Sequence, residues 1–198
     1  MGSDPIGVVL AGGRGRRLGG AKATAKLQGR PLISYPLAAL RQVLEEVVVL
    51  AKEDTQLPSL PGTTVWVERD PRQHPLIGLL EALARASGRP VLVCAVDLPL
   101  VTPQLVKELA SEPAHTATIA AHQGAIQPLL GYYHPDAVGP LRSAGTGLSL
   151  KQAVKMLRPR LLETENPELL TNVNTPADLE RAAELLSRRS RTSSAPAE

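Results

Sequence analysis

An apolar run followed at once by a basic glycine loop is the feature that most limits what this chain can fold into. The run spans residues 6–10 and stops at Ala11-Gly12-Gly13. It is short and contains β-branched residues, which is typical of a buried strand. The loop that follows carries five cations between Arg14 and Lys26. Glycines let backbone N–H groups approach an oxyanion, and the cations neutralise its charge, so the pattern favours a nucleoside triphosphate as ligand.

Strand-like and helix-like segments alternate along the rest of the chain. Further strands are predicted at 47–50, 63–67, 90–96, 116–121 and 128–133, and helices at 31–44, 76–86, 102–111, 149–156 and 175–186. Alternating strands and helices, with several strands apolar throughout, indicate a mostly parallel sheet covered on both faces. We therefore expect an α/β protein, a Rossmann-like three-layer α/β/α sandwich. One domain is predicted over residues 1–187, and the composition of residues 188–198 predicts a disordered tail.

Two common phosphate-binding motifs do not fit the glycine loop. A P-loop requires Ser or Thr after its lysine, and Lys22 is followed by Ala23. In the dinucleotide fingerprint a third glycine belongs where Leu18 stands. The loop therefore serves another class of nucleotide-binding protein.

Composition excludes several other classes of function. The 198 residues include three tyrosines, one tryptophan and no phenylalanine, which disfavours stacking of single-stranded nucleic acid. The single cysteine, Cys94, excludes an internal disulfide and a cysteine-based metal cluster. No apolar run has the length of a membrane span, and the first residues lack a signal-peptide pattern. We expect a cytoplasmic protein that binds neither nucleic acid nor membrane.

Asp97 is the strongest single candidate for a catalytic and metal-binding residue. It ends the apolar strand predicted at 90–96, and ligands of open α/β sheets gather at the carboxyl ends of strands. Mg²⁺ is usually held by one or two carboxylates together with substrate phosphates. The alternative is that Asp97 caps a turn before Pro99.

Several sequence blocks occur in an order that resembles one enzyme family, the molybdenum cofactor guanylyltransferases. The blocks are LAGGRGRRLGGAK, GRPLI, HPLIGLLEAL, AVDLPLVTPQLV, QPLLGYY and NVNTPADL. The likeness extends from Ile6 to about Leu185. It implies a fold of the nucleotide-diphospho-sugar transferase type and transfer of GMP from GTP to the terminal phosphate of molybdopterin, with release of pyrophosphate. It also implies Mg²⁺ as cofactor, and transient contact with proteins that deliver or accept the molybdenum cofactor.

The resemblance also implies roles for individual residues. Lys22 would contact the phosphates, and either Arg16 or Arg17 would neutralise the β- and γ-phosphates. Asp97 would bind both nucleotide and Mg²⁺. An acidic residue before the PLIG block corresponds to Asp70, with Glu68 as a near alternative. The remaining nucleotide- and substrate-facing candidates are Leu10, Ala11, Gly12, Gly13, Asn172 and Asn174. The two asparagines also fit a simpler interpretation as turn formers before an N-cap at Thr175.

The chain departs from the family pattern at two positions. Ala21 stands where the family usually has Asp beside the phosphate lysine, and Leu50 stands where it often has Asn. Two alternatives therefore stay open. One is a cytidylyl or sugar-phosphate nucleotidyltransferase, and the other is a catalytically silent GTP-binding protein.

Overall fold

A seven-stranded sheet, a short hairpin and six α-helices make up the fold of the computed structural model, which describes residues 4–12, 18, 22–111 and 116–193. The strands are β1 Ile6–Leu10, β2 Lys26–Leu27, β3 Arg30–Pro31, β4 Val47–Lys52, β5 Thr64–Glu68, β6 Val91–Ala95, β7 Ala117–His122, β8 Ala125–Tyr133 and β9 Arg160–Glu163. The helices are α1 Ser34–Arg41, α2 Pro75–Arg85, α3 Pro103–Ser111, α4 Val138–Ala144, α5 Leu150–Met156 and α6 Pro176–Ser193. Short 3₁₀ turns lie at Lys22–Thr24, Pro135–Ala137 and Pro167–Leu170.

The large sheet has the strand order β5-β4-β1-β6-β8-β7-β9. The first four strands run parallel, β8 is antiparallel to both β6 and β7, and β9 is parallel to β7. β1 lies at the centre of the parallel half, where its register places Val8 beside Val48 and Val93. The expected mostly parallel α/β sheet is therefore confirmed. Because β1, β4 and β6 are neighbours, their carboxyl ends lie side by side at one edge.

Helices cover both faces of the sheet. On one face, side chains such as Val8 and Val93 pack with residues of α2, α4 and α5. On the other face, Val9 and Val49 pack with residues of α1 and α3. Successive residues of β1 thus enter opposite cores, which is why the strand reads as continuously apolar. The result is the expected three-layer sandwich. A third, smaller core joins the β2–β3 hairpin to α6.

The structure differs from the sequence-based expectation in the second half of the chain. α4 and β9 were not predicted, and β8 begins at Ala125 instead of residue 128. β9 is a short edge strand with mostly exposed residues, so it lacks the apolar run that marks the central strands. α4 contains both glycine and proline within seven residues, which weakens the helical signal.

α6 continues to Ser193 and so extends into residues 188–198, the segment for which the composition predicts a disordered tail. Arg189 gives a physical reason: its guanidinium donates to the backbone oxygen of Leu100 at 2.7 Å and lies 3.9 Å from Glu168. These contacts dock the last turns of α6 against the body of the protein. Residues 194–198 lie outside the described part of the chain. Across the described ranges, no helix is both long enough and apolar enough to span a membrane.

Gly131 in β8 gives a first test of the packing. A Cβ at this position would lie 2.6 Å from Ile119 Cδ1 and 2.9 Å from the backbone oxygen of Thr118. Gly131→Ala is therefore expected to lower the free energy of unfolding by about 1–3 kcal/mol, as overpacking of a well-filled core does. The matched control is Gly139→Ala in α4, where a Cβ meets nothing within 4 Å. Urea unfolding of both variants checks this, and equal stability of the two would contradict the packing.

Candidate active site

A cavity opens at the edge where β1, β4 and β6 end. Its walls include apolar side chains, among them Leu10, Leu50 and Leu129. Its polar lining consists of Lys22, Lys52, Glu68, Gln73, His74 and Asp97. Charged groups of both signs thus meet at the position where ligands of open α/β sheets bind.

At one end of the cavity, Lys22 joins two segments that are distant in sequence. Its ammonium donates to Asp97 Oδ2 at 2.6 Å and to Asn174 Oδ1 at 2.7 Å. The Lys22 and Asp97 side chains are only 11% and 13% exposed. The backbone of Asp97 also accepts a hydrogen bond from Val173 N at 2.8 Å, which fixes the 172–174 loop against the end of β6. The three predicted residues Lys22, Asp97 and Asn174 therefore form one cluster.

The second carboxylate oxygen of Asp97 has the environment expected of a cation ligand. Oδ1 is buried and has no hydrogen-bond partner within the described part of the chain. A buried anionic oxygen without a partner is costly, and binding of a cation removes that cost. Oxygen donors also suit Mg²⁺. No group of three His, Cys, Asp or Glu side chains with metal-binding geometry occurs among the described residues. Substrate phosphates or water would therefore complete the coordination, which is usual for Mg²⁺.

The loop that carries Asn174 is held by the N-terminus of α6. Thr175 Oγ1 accepts from the backbone of Asp178 at 3.2 Å, as predicted for an N-cap. In return, Asp178 Oδ2 accepts from the backbone N–H groups of Asn174 and Thr175, both at 2.8 Å. These bonds hold the pKa of Asp178 below its usual value, and the bond from the Asn174 backbone contributes most. Asn172 points elsewhere and accepts from Gln127 Nε2 at 2.7 Å.

Asp178→Asn tests the anchoring of this loop through its pH dependence. The lowered pKa means that the ionised carboxylate stabilises the folded protein above the ordinary aspartate value of 3.8. That contribution is lost as the pH falls through the lowered pKa. We expect the substitution to reduce the free energy of unfolding by about 1 kcal/mol at neutral pH, a typical helix-cap effect. The difference from the unmodified protein should shrink below pH 3.8. Urea titrations across this range measure it, and a pH-independent difference would contradict the assigned contacts.

At the other end of the cavity, Glu68 forms an ion pair with Lys52. The distance from Nζ to Oε1 is 2.6 Å, and the side chains are 9% and 7% exposed for lysine and glutamate. Glu68 ends β5 and Lys52 ends β4, so the register of two paired strands brings them together. Asp70 does not line the cavity. Its carboxylate pairs with Arg72, which lowers its pKa to about 2.

This arrangement corrects the choice between the two acidic candidates. Asp70 was the first choice for the nucleotide site, but the chain turns after β5 and directs it to Arg72. Glu68, the alternative, lines the cavity. The family resemblance left both residues open because the local length of the chain before the PLIG block differs from that of the family.

Only some of the site residues expected at the end of β1 lie in the part of the chain that the structure describes. Leu10 and Gly12 line the cavity, whereas Ala11 is buried and its N–H donates to Leu50 O at 2.8 Å. Gly13 and Arg16 lie outside the described residues. So do Arg17 and Ala21.

Sequence reasoning missed several residues of the cavity, among them Lys52, Gln73 and Gly78. Lys52 had a usable signal, since a charged residue ends an apolar strand next to the strand that feeds the glycine loop. His74 also lines the cavity, and its Nδ1 accepts from Leu76 N at 3.2 Å. It thus caps α2, whose N-terminus borders the site. No local pattern marks Gln73 or Gly78.

Known proteins resemble this chain over most of its length. The family described as MobA-like NTP transferase domain matches residues 7–164. A probable molybdenum cofactor guanylyltransferase from Chloroflexus aggregans is 33% identical over 87% of this chain and 90% of its own. The solved structure of molybdopterin-guanine dinucleotide biosynthesis protein A from Archaeoglobus fulgidus is 28% identical, with a TM-score of 0.74 over 92% of this chain and 99% of that one. A Mycobacterium tuberculosis protein, solved as a complex with manganese, shares the fold at 20% identity, with a TM-score of 0.69 over 93% of this chain and 100% of that one.

Proposed function

Because this chain belongs to the family of MobA-like NTP transferase domains and is a nucleotidyltransferase, we propose that it transfers GMP from GTP to molybdopterin. The observation that carries the proposal is the cavity with Lys22 and Asp97 at one end, where Lys22 also bonds Asn174, and the Glu68 carboxylate at the other. The Lys22 ammonium, with a cation bound at Asp97, suits the triphosphate, and the separate Glu68 carboxylate suits a nucleobase. The relatives named above as guanylyltransferase and guanine dinucleotide biosynthesis protein support the same substrates.

The end of the cavity at Asp97 is proposed to hold the triphosphate. The Lys22 ammonium lies where it can neutralise phosphate charge, as a point charge with three donors. Asp97 is the proposed ligand of Mg²⁺, since its Oδ1 is buried and lacks a partner among the described residues. Bound Mg²⁺ would supply positive charge to the phosphate oxygens. The manganese complex of a protein with the same fold is consistent with a divalent cation.

The end of the cavity at Glu68 is proposed to hold the base. An ionised carboxylate only accepts hydrogen bonds. Guanine offers two adjacent donors, N1–H and the 2-amino group, on its Watson–Crick edge. Adenine and cytosine place a ring-nitrogen acceptor beside their amino group, and that acceptor is repelled by a carboxylate. Leu10 and Leu50 supply apolar walls for the flat faces of the ring.

The proposed reaction is an in-line displacement at phosphorus. A terminal phosphate oxygen of molybdopterin bonds to the α-phosphorus of GTP. The bond from that phosphorus to the bridging oxygen breaks, and pyrophosphate leaves with the electron pair. The attacking phosphate is already anionic, so no side chain has to remove a proton. The protein contributes positioning and positive charge, and Lys22, beside Asp97, supplies one such charge.

Pyrophosphate release from GTP, CTP, ATP and UTP, with Mg²⁺ and with or without molybdopterin, tests this function. We expect release that requires both GTP and molybdopterin. Release with CTP in place of GTP would indicate a cytidylyltransferase. Release with a sugar phosphate as acceptor would indicate the sugar-phosphate alternative. Binding of GTP without release under any condition would indicate a silent family member. The proposed setting is the cytoplasm, with transient contacts to proteins that deliver or accept the cofactor.

A further inference from the structure

We propose that Lys52 is a positioning residue that holds the Glu68 carboxylate in place as a hydrogen-bond acceptor and thereby sets the preference for GTP. The proposal rests on the function proposed above. It concerns how this chain prepares its base-binding carboxylate, using a lysine that no sequence motif singled out.

All three protons of the Lys52 ammonium have acceptors within the protein. Nζ donates to Glu68 Oε1 at 2.6 Å, to the backbone oxygen of Asp70 and to that of Arg72 at 3.0 Å. An ammonium has three donors and no acceptor capacity. Lys52 therefore has no proton left for a ligand unless one of these bonds breaks. Its position suits support of Glu68 better than direct contact with a nucleotide.

The bonds of Lys52 also determine which oxygen of Glu68 is presented. Oε1 is taken by the ammonium, whereas Oε2 lies beside two glycines. A Cβ added to Gly78 would lie 3.3 Å from Oε2, and one added to Gly12 would lie 3.6 Å from it. The missing side chains leave room around this oxygen at the cavity wall. Oε2 is thus the oxygen available to accept from a base.

A carboxylate that is held in place can discriminate between the bases. The N1–H and 2-amino donors of guanine bond to it, whereas the ring-nitrogen acceptor of adenine is repelled by it. Without the bond from Lys52 to Oε1, the carboxylate is no longer fixed towards the base. Lys52 therefore favours GTP over ATP by aiming Glu68.

Lys52→Met tests the proposal through the ratio of kcat/KM for GTP to that for ATP, measured by pyrophosphate release with molybdopterin. We expect the ratio to fall by about 30-fold, as for loss of a charge-assisted hydrogen bond, with the change mainly in KM. Lys52→Arg retains charge and donors and should keep most of the preference. Lys107→Met, at an exposed lysine of α3, is the matched control and should leave the ratio unchanged.

The outcomes separate this proposal from the proposed function. If the unmodified enzyme shows no preference for GTP, the proposed function fails. If it prefers GTP and folded Lys52→Met keeps the same ratio, or loses activity equally with both nucleotides, Lys52 has a structural role only and the inference is overturned.

Lys52→Gln covers the case in which the methionine variant does not fold, because its amide can still donate to the backbone oxygens while lacking charge. It is expected to lose the preference as well. A crystal structure of the unmodified enzyme with GTP is independent of any variant. It should show Lys52 still bonded to Glu68, and a direct bond from Lys52 to the base would overturn the proposal.

Discussion

Replacing Asp97 by asparagine is expected to lower the rate of pyrophosphate release by about 10²–10³-fold, the usual cost of removing one charge-stabilising group from a reaction site. Asparagine has nearly the same shape and can still accept a hydrogen bond from Lys22. It lacks the negative charge that a divalent cation requires at the buried Oδ1 position. Single-turnover release with saturating GTP, molybdopterin and Mg²⁺ measures the effect. Thermal unfolding of the same sample checks that the fold is retained.

The matched control for Asp97→Asn is Asp54→Asn, which makes the same chemical change at an exposed position after β4. It should leave the rate unchanged. Removal of divalent cations with EDTA is expected to stop release in the unmodified enzyme, and added Mg²⁺ should restore it. Full activity of Asp97→Asn with an unchanged dependence on Mg²⁺ would exclude Asp97 as the metal ligand.

The position of Asp97 at the end of the cavity could be predicted from the sequence. β1 and β6 are apolar runs with sharp ends, so the residues that follow them could be placed at the carboxyl edge of a parallel sheet. Asp97 was located in this way, and the family resemblance supplied Lys22 and Asn174. The hydrogen bonds among the three depend on the fold, because 75 residues separate Lys22 from Asp97 and 152 separate it from Asn174.

The end of the cavity at Glu68 could not be derived in the same way. The family resemblance indicated Asp70, with Glu68 as the alternative, because the local length of the chain before the PLIG block differs from that of the family. The strand predicted at 63–67 did not decide between them. The pairing of β4 with β5 settles it, since Lys52 lies directly beside Glu68 in the register. A buried ion pair between strands is a tertiary feature that periodicity does not reveal.

Periodicity and composition are limited in the same way at the last residues of α6, which extend into the predicted tail. Residues 188–193 contain arginine and serine, a composition typical of a solvated end. Their helix nevertheless docks against the body of the protein, in part through the bond from Arg189 to the backbone oxygen of Leu100. Composition reflects the average solvation of a segment and does not reveal a specific tertiary contact such as that of the Arg189 guanidinium.

The second large effect is expected from Lys22→Met, which should lower kcat/KM for GTP by about 10²–10³-fold through loss of a phosphate-binding cation. Methionine retains an unbranched apolar stem and removes the ammonium that bonds Asp97 and Asn174. The free energy of unfolding should also fall, by about 3 kcal/mol, because the substitution leaves the largely buried Asp97 charge without its cation. Steady-state kinetics and urea unfolding measure the two effects separately.

Binding measurements then distinguish a phosphate contact from a general disturbance of the site. If Lys22 binds the triphosphate, the dissociation constant of GTP rises in Lys22→Met by about 10-fold or more, whereas that of guanosine does not change. Lys22→Arg, which keeps the charge, should recover part of the loss. Equal weakening of GTP and guanosine would mean that Lys22 only supports the structure of the cavity. The opposite result is expected for Lys52 variants, in which the loss of activity should depend on the base of the nucleotide and not on its phosphates. Together, the two lysine variants therefore test whether the two ends of the cavity have the separate tasks proposed for them.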